Sequence, residues 1–235
     1  GVITRTDLLN YLVQHNKTLK RNDTELGVKK NAKKRKIENI LYQRLDNRIK
    51  HLLQKIGQIG NEMGFNIYVV GGFVRDLLLN RQIEDIDIVV EGDGIEFAKV
   101  YAKKEGCRIN THTKFGTAVI IFPDFFKIDV ASARLEYYTT PAALPIVEKS
   151  SIKLDLARRD FTINTLAINL NPDNFGTMID YFGATRDLKD KTIRIIHNLS
   201  FVEDPTRIFR AIKFSNRFGF KIGKVTSNLI KNAIK

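Results

Sequence analysis

Two neighbouring stretches decide the fold class: Asn66-Ile67-Tyr68-Val69-Val70-Gly71-Gly72-Phe73-Val74-Arg75-Asp76 and, nine residues after Asp76, Asp85-Ile86-Asp87-Ile88-Val89-Val90. Ile67–Val70 is an apolar run rich in β-branched residues and predicts a strand. Gly71-Gly72 leaves the backbone bare at a turn. Phe73–Asn80 then reads as a helix, with Val74, Leu77 and Leu78 on one apolar face. Ile86–Val90 is a second strand. A strand, glycine turn, helix and strand in this order predict an α/β (α+β) fold. Free N–H groups at such a helix start favour phosphate. Arg75 can add a charged donor, and the plainer reading is an Arg75–Asp76 surface ion pair.

Outward from this centre, Gly94–Glu105 reads as helix, and Ala118–Phe122 and Lys127–Ala131 as strands joined at Pro123-Asp124. Ser132–Ser151, with Pro141 and Pro145, reads as irregular. Asp160–Ala167 predicts the start of a helix and Met178–Asp180 a strand. After Asp204-Pro205 the pattern is helical, with breaks at Gly219 and Gly223. Toward the N-terminus, Gly1–Thr4 reads as a strand, Thr6 or Asp7 through about Val13 as a helix, and Asn16–Gly27 as a linker. Lys29–Lys36 holds six basic residues in eight and leads into Ile37, Ile40, Leu41, Leu45, Ile49, Leu52, Leu53 and Ile56. That spacing predicts an amphipathic helix with a basic start. The basic run is either a solvated helix end or an RNA contact.

The chain has 235 residues and a net charge of +13, with one cysteine, Cys107. The surplus points to a polyanionic partner. A single cysteine excludes a disulfide framework and any Cys-rich zinc site. No apolar run is long enough for a membrane span, and the N-terminus lacks a signal-peptide pattern. A cytoplasmic setting without membrane contact is the expectation. The first residue is not Met and the last, Lys235, falls inside an expected helix, which suggests a piece of a longer polypeptide.

The chemistry-bearing residues follow in order. Asp85 and Asp87 alternate onto one strand face. Two adjacent carboxylates repel unless a cation lies between them, and such oxygen ligands suit Mg²⁺. The alternative is an acidic pair at a sheet edge. Asp129 is a charge within an apolar strand, either a third carboxylate for the same metals or a solvent-facing edge residue. In Arg158-Arg159-Asp160-Phe161-Thr162-Ile163-Asn164, Asp160 is a good helix cap, the arginines an anion site, and Asn164 within reach of the same pocket. In Glu203-Asp204-Pro205-Thr206-Arg207, Asp204 caps a helix with Pro205 as its first residue. Asp204 and Arg207 lie three apart and so side by side. An acceptor beside a donor fork matches the edge of C or A and mismatches U and G. An internal ion pair in a capped helix is the plainer reading.

Taken in order, these four motifs, with Arg210-Ala211-Ile212-Lys213-Phe214, resemble the class II tRNA nucleotidyltransferase and bacterial poly(A) polymerase family over roughly residues 60–220. The resemblance implies a polymerase-β-like head with a mixed five-stranded sheet, followed by the start of a helical neck. It implies template-free addition of C and/or A (CCA, CC or A alone) to the 3′ end of tRNA, with a poly(A) polymerase as the alternative and a regulatory binding module that has lost catalysis as a second. By the same resemblance Asp85 and Asp87 would hold two Mg²⁺ ions, with Asp129 as the third carboxylate. Gly71, Gly72 and Arg75 would hold the triphosphate of ATP or CTP. Arg159, Asp160 and Asn164 would select the ribose, and Asp204 and Arg207 the base, with Arg210 as a further nucleotide contact. Arg134, Glu136 and Tyr137 would begin a flexible loop reaching to Pro145. Gly1–Leu9 is similar to the closing strand and helix of a CBS domain. The expected organisation is a CBS tail (1–15), a linker and basic helix (16–59), a head (60–200) and the start of a neck (201–235).

Overall fold

The structure, a computed structural model, describes residues 31–137 and 146–234. Its strands are β1 (Lys33–Lys36), β2 (Asn66–Val70), β3 (Asp87–Glu91), β4 (Arg108–His112), β5 (Thr117–Ile121), β6 (Lys127–Ser132), β7 (Arg134–Tyr137), β8 (Ile146–Lys149), β9 (Leu166–Asn169), β10 (Thr177–Asp180), β11 (Thr192–Ile193) and β12 (Lys221–Ile222). Eight of them form one mixed sheet in the order β1-β10-β9-β2-β3-β6-β5-β4. Only the central β3–β6 pair is parallel. Because side chains alternate along each strand, the sheet has two distinct faces. One carries Ile67, Val69, Ile88, Val90, Ile128 and Val130, packed under the helices Asn47–Glu62, Gly72–Leu78 and Gly94–Glu105. The other carries Tyr68, Val70, Val89 and Ala167, covered in part by Ile152 and Leu156 of the helix Ile152–Ala157. The helix Thr206–Phe218 joins the first core through Ala211 and Phe218.

The strand–turn–helix–strand centre stands as expected, and the fold is a mixed α/β architecture. The sheet has eight strands, not five. One of the added strands is the basic run: Lys33–Lys36 pairs antiparallel with β10 instead of starting a helix. Four exposed cations give no apolar stripe to bury, and the helical periodicity begins only at Ile37. The following helix is two, Glu38–Arg44 and Asn47–Glu62, because Asp46 accepts from Ile49 N (2.8 Å) and caps the second. The segment read as irregular contains a hairpin of β7 and β8. The segment read as a helix from Asp160 is a 3₁₀ turn, Thr162–Asn164, followed by β9. Every residue from Phe161 to Leu170 is buried, and the run feeds a central strand between β2 and β10. Residues 1–30, including the CBS-like segment, lie outside the described part.

Candidate active site

Residues of β2, β3, β5 and β6 line a cleft of about 980 Å³. Each wall has a different chemistry. The acidic wall comes from sheet register: in the parallel β3–β6 pair, Asp87 stands directly opposite Asp129. Asp129 N also donates to Ile86 O (3.1 Å), which ties it to the segment carrying Asp85. Asp85 and Asp129 are exposed and Asp87 is half-buried, and all three line the cleft. Burial pushes the Asp87 carboxyl above the ordinary aspartate range; Arg159 opposes this, and Asp129 and Asp85 add to it. Burial and then Asp85 likewise raise Asp129, against Lys127. Asp87 and Asp129, each raised by burial and by acidic neighbours, mark a site short of positive charge. Among the described residues no three His, Cys, Asp or Glu side chains close a complete metal cage. The oxygens of Asp85, Asp87 and Asp129 that line the cleft are donors of the kind a hard cation such as Mg²⁺ accepts.

The basic wall contains Arg158, Arg159, Arg207, Arg210 and Arg217. Gly71 marks its start. Its φ is +66°, and a Cβ there would lie 2.6 Å from Arg159 Nη1, so only glycine lets the guanidinium sit over the turn. Arg159 and Arg158 are anchored by Asp155, which has no exposed surface: Arg158 Nη2 donates to Oδ1 (2.7 Å) and Arg159 Nη2 to Oδ2 (3.2 Å). Burial alone would raise the Asp155 carboxyl, but Arg159 and Arg158 more than reverse this and hold it below the ordinary range. Sequence reading missed Asp155. Its signal was the spacing of three and four residues to the arginine pair, which a helix places side by side.

A polar chain links the glycine turn to the helix Thr206–Phe218. Arg75 is buried and grips Asp76 through Nε (2.9 Å) and Nη2 (2.7 Å). Its Nη1 donates to Asn164 Oδ1 (2.7 Å). Asn164 Nδ2 donates to Asp160 Oδ1 (3.0 Å), whose Oδ2 accepts from Arg210 Nε (2.7 Å). The Arg75–Asp76 pair is thus buried rather than a surface bridge, and Asp160 caps no α-helix: it accepts from Phe161 N, Asn164 and Arg210. Arg75 also stacks on Phe218 (4.5 Å) and Phe214 (5.5 Å), aromatic partners the sequence reading did not name.

Asp204 and Arg207 sit beside each other, with Oδ2 and Nε 3.6 Å apart. The helix begins one residue later than expected, at Thr206, and Asp204 Oδ1 accepts from Thr206 N (3.0 Å) and Oγ1 (2.5 Å). Arg207 is buried, with donors to Ser200 Oγ (2.7 Å) and Arg158 O (3.3 Å). Both residues line the cleft, as do Gly72, Arg75, Asp160, Asn164 and Arg210. Arg134 is not part of its lining and donates to Phe115 O (2.6 Å). The backbone of Glu136 and Tyr137 lies in β7, and the rest of the expected loop, 138–145, is outside the described residues.

An acidic row thus faces an arginine bank across a glycine turn. A family model described as the poly A polymerase head domain matches residues 67–194. The chain belongs to the poly(A) polymerase head-domain family. The chain is 56% identical over 236 residues to the A-adding tRNA nucleotidyltransferase of Geobacter sulfurreducens, covering 100% of this chain and 27% of the relative. It is 50% identical over 167 residues to the A-adding tRNA nucleotidyltransferase of Aquifex aeolicus, covering 71% and 20%. A solved CCA-adding enzyme in an apo form superposes with a TM-score of 0.82 at 51% identity, covering 86% of this chain and 47% of that one. The chain therefore spans about a quarter of the length of those curated relatives and about half of that solved structure.

Proposed function

We propose that this head domain transfers a nucleotide from a nucleoside triphosphate to the 3′ end of tRNA, and that the nucleotide is A. The observation that carries the reading is the Asp87–Asp129 register across from the arginine bank. The choice of A rests on the two A-adding relatives. The CCA-adding name of the solved structure favours, as a second reading, addition of both C and A. A binding module that has lost catalysis would have no use for the full acidic row.

In the proposed reaction the RNA 3′ oxygen attacks the α-phosphorus. The bond from that phosphorus to the α–β bridging oxygen breaks, and pyrophosphate leaves with the electron pair. Asp129, facing the cleft opposite Asp87, takes the hydroxyl proton. Gly71, Gly72, Arg159 and Arg158 hold the triphosphate against the helix start. Arg75, Asn164 and Asp160 spend most of their polar atoms on one another and on Asp76 and Arg210, which leaves fewer donors for the ribose. Asp204 accepts from the amino group of A or C, and Arg207 donates to the ring nitrogen beside it. Asp85 and Asp87, with Asp129, present the oxygen donors that Mg²⁺ prefers, and two such ions would neutralise charge on the attacking and leaving oxygens. Among the described residues no helix is long and apolar enough to cross a membrane. Such an enzyme works where tRNA matures, in the cytoplasm.

The test uses full-length protein, each labelled nucleotide in turn, and tRNAs lacking the whole CCA end, lacking only the terminal A, or complete. Addition of a single A to the tRNA lacking only that residue is the expected result. Growth of long A tails on any RNA would show a poly(A) polymerase instead. No incorporation on any RNA would refute the reading.

A further inference from the structure

We infer that the open sheet face beyond Asp129, on β5 and β4, seats the 3′-terminal nucleotide of the RNA. The inference rests on the proposed transfer and assigns the side from which its acceptor enters. In phosphoryl transfer the attacking and leaving oxygens lie roughly in line across the phosphorus. The glycine turn after β2 and the arginines before β9 put the leaving pyrophosphate on one side of the acidic row. In the sheet order β9-β2-β3-β6-β5-β4, the other side of that row is β5 and β4.

The register shows what that face presents. Asp129 pairs with Val119, Val119 with Asn110, and Thr117 with His112, so these side chains share the face of the carboxylates. His112, Thr117 and Val119 line the cleft itself. One row further out, Lys127 pairs with Ile121 and Ile121 with Arg108 on the same face. Arg108, Asn110, His112 and Lys127 are exposed, and Val119 and Ile121 are half-buried between them. An apolar floor framed by hydrogen-bond donors and two cations suits a base lying flat with its phosphate at the rim. Beyond Asp129 this face of β4–β6 carries no acid, as a polyanion requires. The opposite face, with Ile120, Ile128 and Val130, is core.

Steady-state kinetics of the full-length protein with His112→Ala, Asn110→Ala and the pair Arg108→Ala/Lys127→Ala test this. Exposed side chains leave the fold intact, and each variant should raise KM for tRNA roughly tenfold, the loss of a hydrogen bond to the RNA in the single variants and of two phosphate contacts in the pair. KM for ATP and kcat at saturating tRNA should not move, a split that general loosening of the fold would not give. Unchanged KM for tRNA in all three, or an equal rise for ATP, overturns the inference while leaving the transfer reading intact. A wild type that adds no nucleotide refutes the transfer reading instead. A photoreactive base at the RNA 3′ end then decides the seat independently: crosslinks to β4 and β5 support it, and crosslinks confined to the arginine bank overturn it.

Discussion

Replacing Asp155 with Asn removes one charge and almost no volume, at a point where two cleft-lining arginines depend on it. Asp155 is completely buried, and Arg158 and Arg159 keep 19% and 18% of their side-chain surface exposed. Breaking a buried ion pair from one side costs about 3–5 kcal/mol, because the remaining charge loses its partner without regaining water. Partial exposure lets both arginines recover some hydration, so about 3 kcal/mol, the lower end, is the expected loss. Urea unfolding followed by circular dichroism should show a midpoint lower by about 1 M or more, at a slope of about 3 kcal/mol/M. The pH dependence has a defined sign. The folded carboxyl lies below its unfolded value, so its contribution is complete above an ordinary aspartate pKa of about 3.9 and is lost as pH falls below that. Wild type should therefore lose its advantage over Asp155→Asn progressively below about pH 4. Because Arg159 loses its anchor beside the glycine turn, KM for ATP should also rise. A variant that matches wild type in urea midpoint, acid limb and KM would refute the claim that Asp155 holds the arginine bank.

Asp87→Asn should abolish nucleotide transfer yet melt higher than wild type in buffer free of divalent cations, since it removes a carboxylate raised by burial and by Asp129 and Asp85; a lower melting temperature would contradict the repulsion. Gly71→Ala should cost about 1–3 kcal/mol in thermal or urea unfolding and raise KM for ATP, because φ of +66° strains any side chain and the new Cβ displaces Arg159; a neutral effect would show that the turn relaxes freely. Asp204→Ala and Arg207→Ala should each narrow the kcat/KM gap between ATP or CTP and UTP or GTP, with Asp204→Ala also losing about 1 kcal/mol from its hydrogen bonds to Thr206. Equal slowing of all four nucleotides would make that pair purely structural.

Local chemistry was legible in the sequence wherever it followed from spacing. The strand before Gly71, the helix after it and the Asp85/Asp87 pair came from apolar runs and alternation. The Asp204–Arg207 neighbourhood came from a three-residue separation on a helix. Asp129 was legible as a candidate, but its seat opposite Asp87 depends on a pairing between strands some forty residues apart, which no local pattern encodes. The basic strand β1 was misread because its lysines and arginine carry no strand alternation, and what fixes it is the edge offered by β10. β9 was misread because Asp160 looks like a helix cap, whereas its carboxylate is drawn to Asn164 and Arg210. Asp155 and the stack of Arg75 on Phe214 and Phe218 were missed because burial, not motif, gives them their roles.

In the proposed reaction the acidic row joins an RNA 3′ oxygen to an α-phosphorus. Incubating full-length protein with magnesium, tRNA lacking its terminal A, and ATP labelled on either the α- or the γ-phosphate tests it most directly. The account predicts that the α-label becomes a phosphodiester at the RNA 3′ end and the γ-label leaves as pyrophosphate, with neither outcome in Asp87→Asn. Appearance of the γ-label on the RNA, or full α-label incorporation by Asp87→Asn, would contradict it.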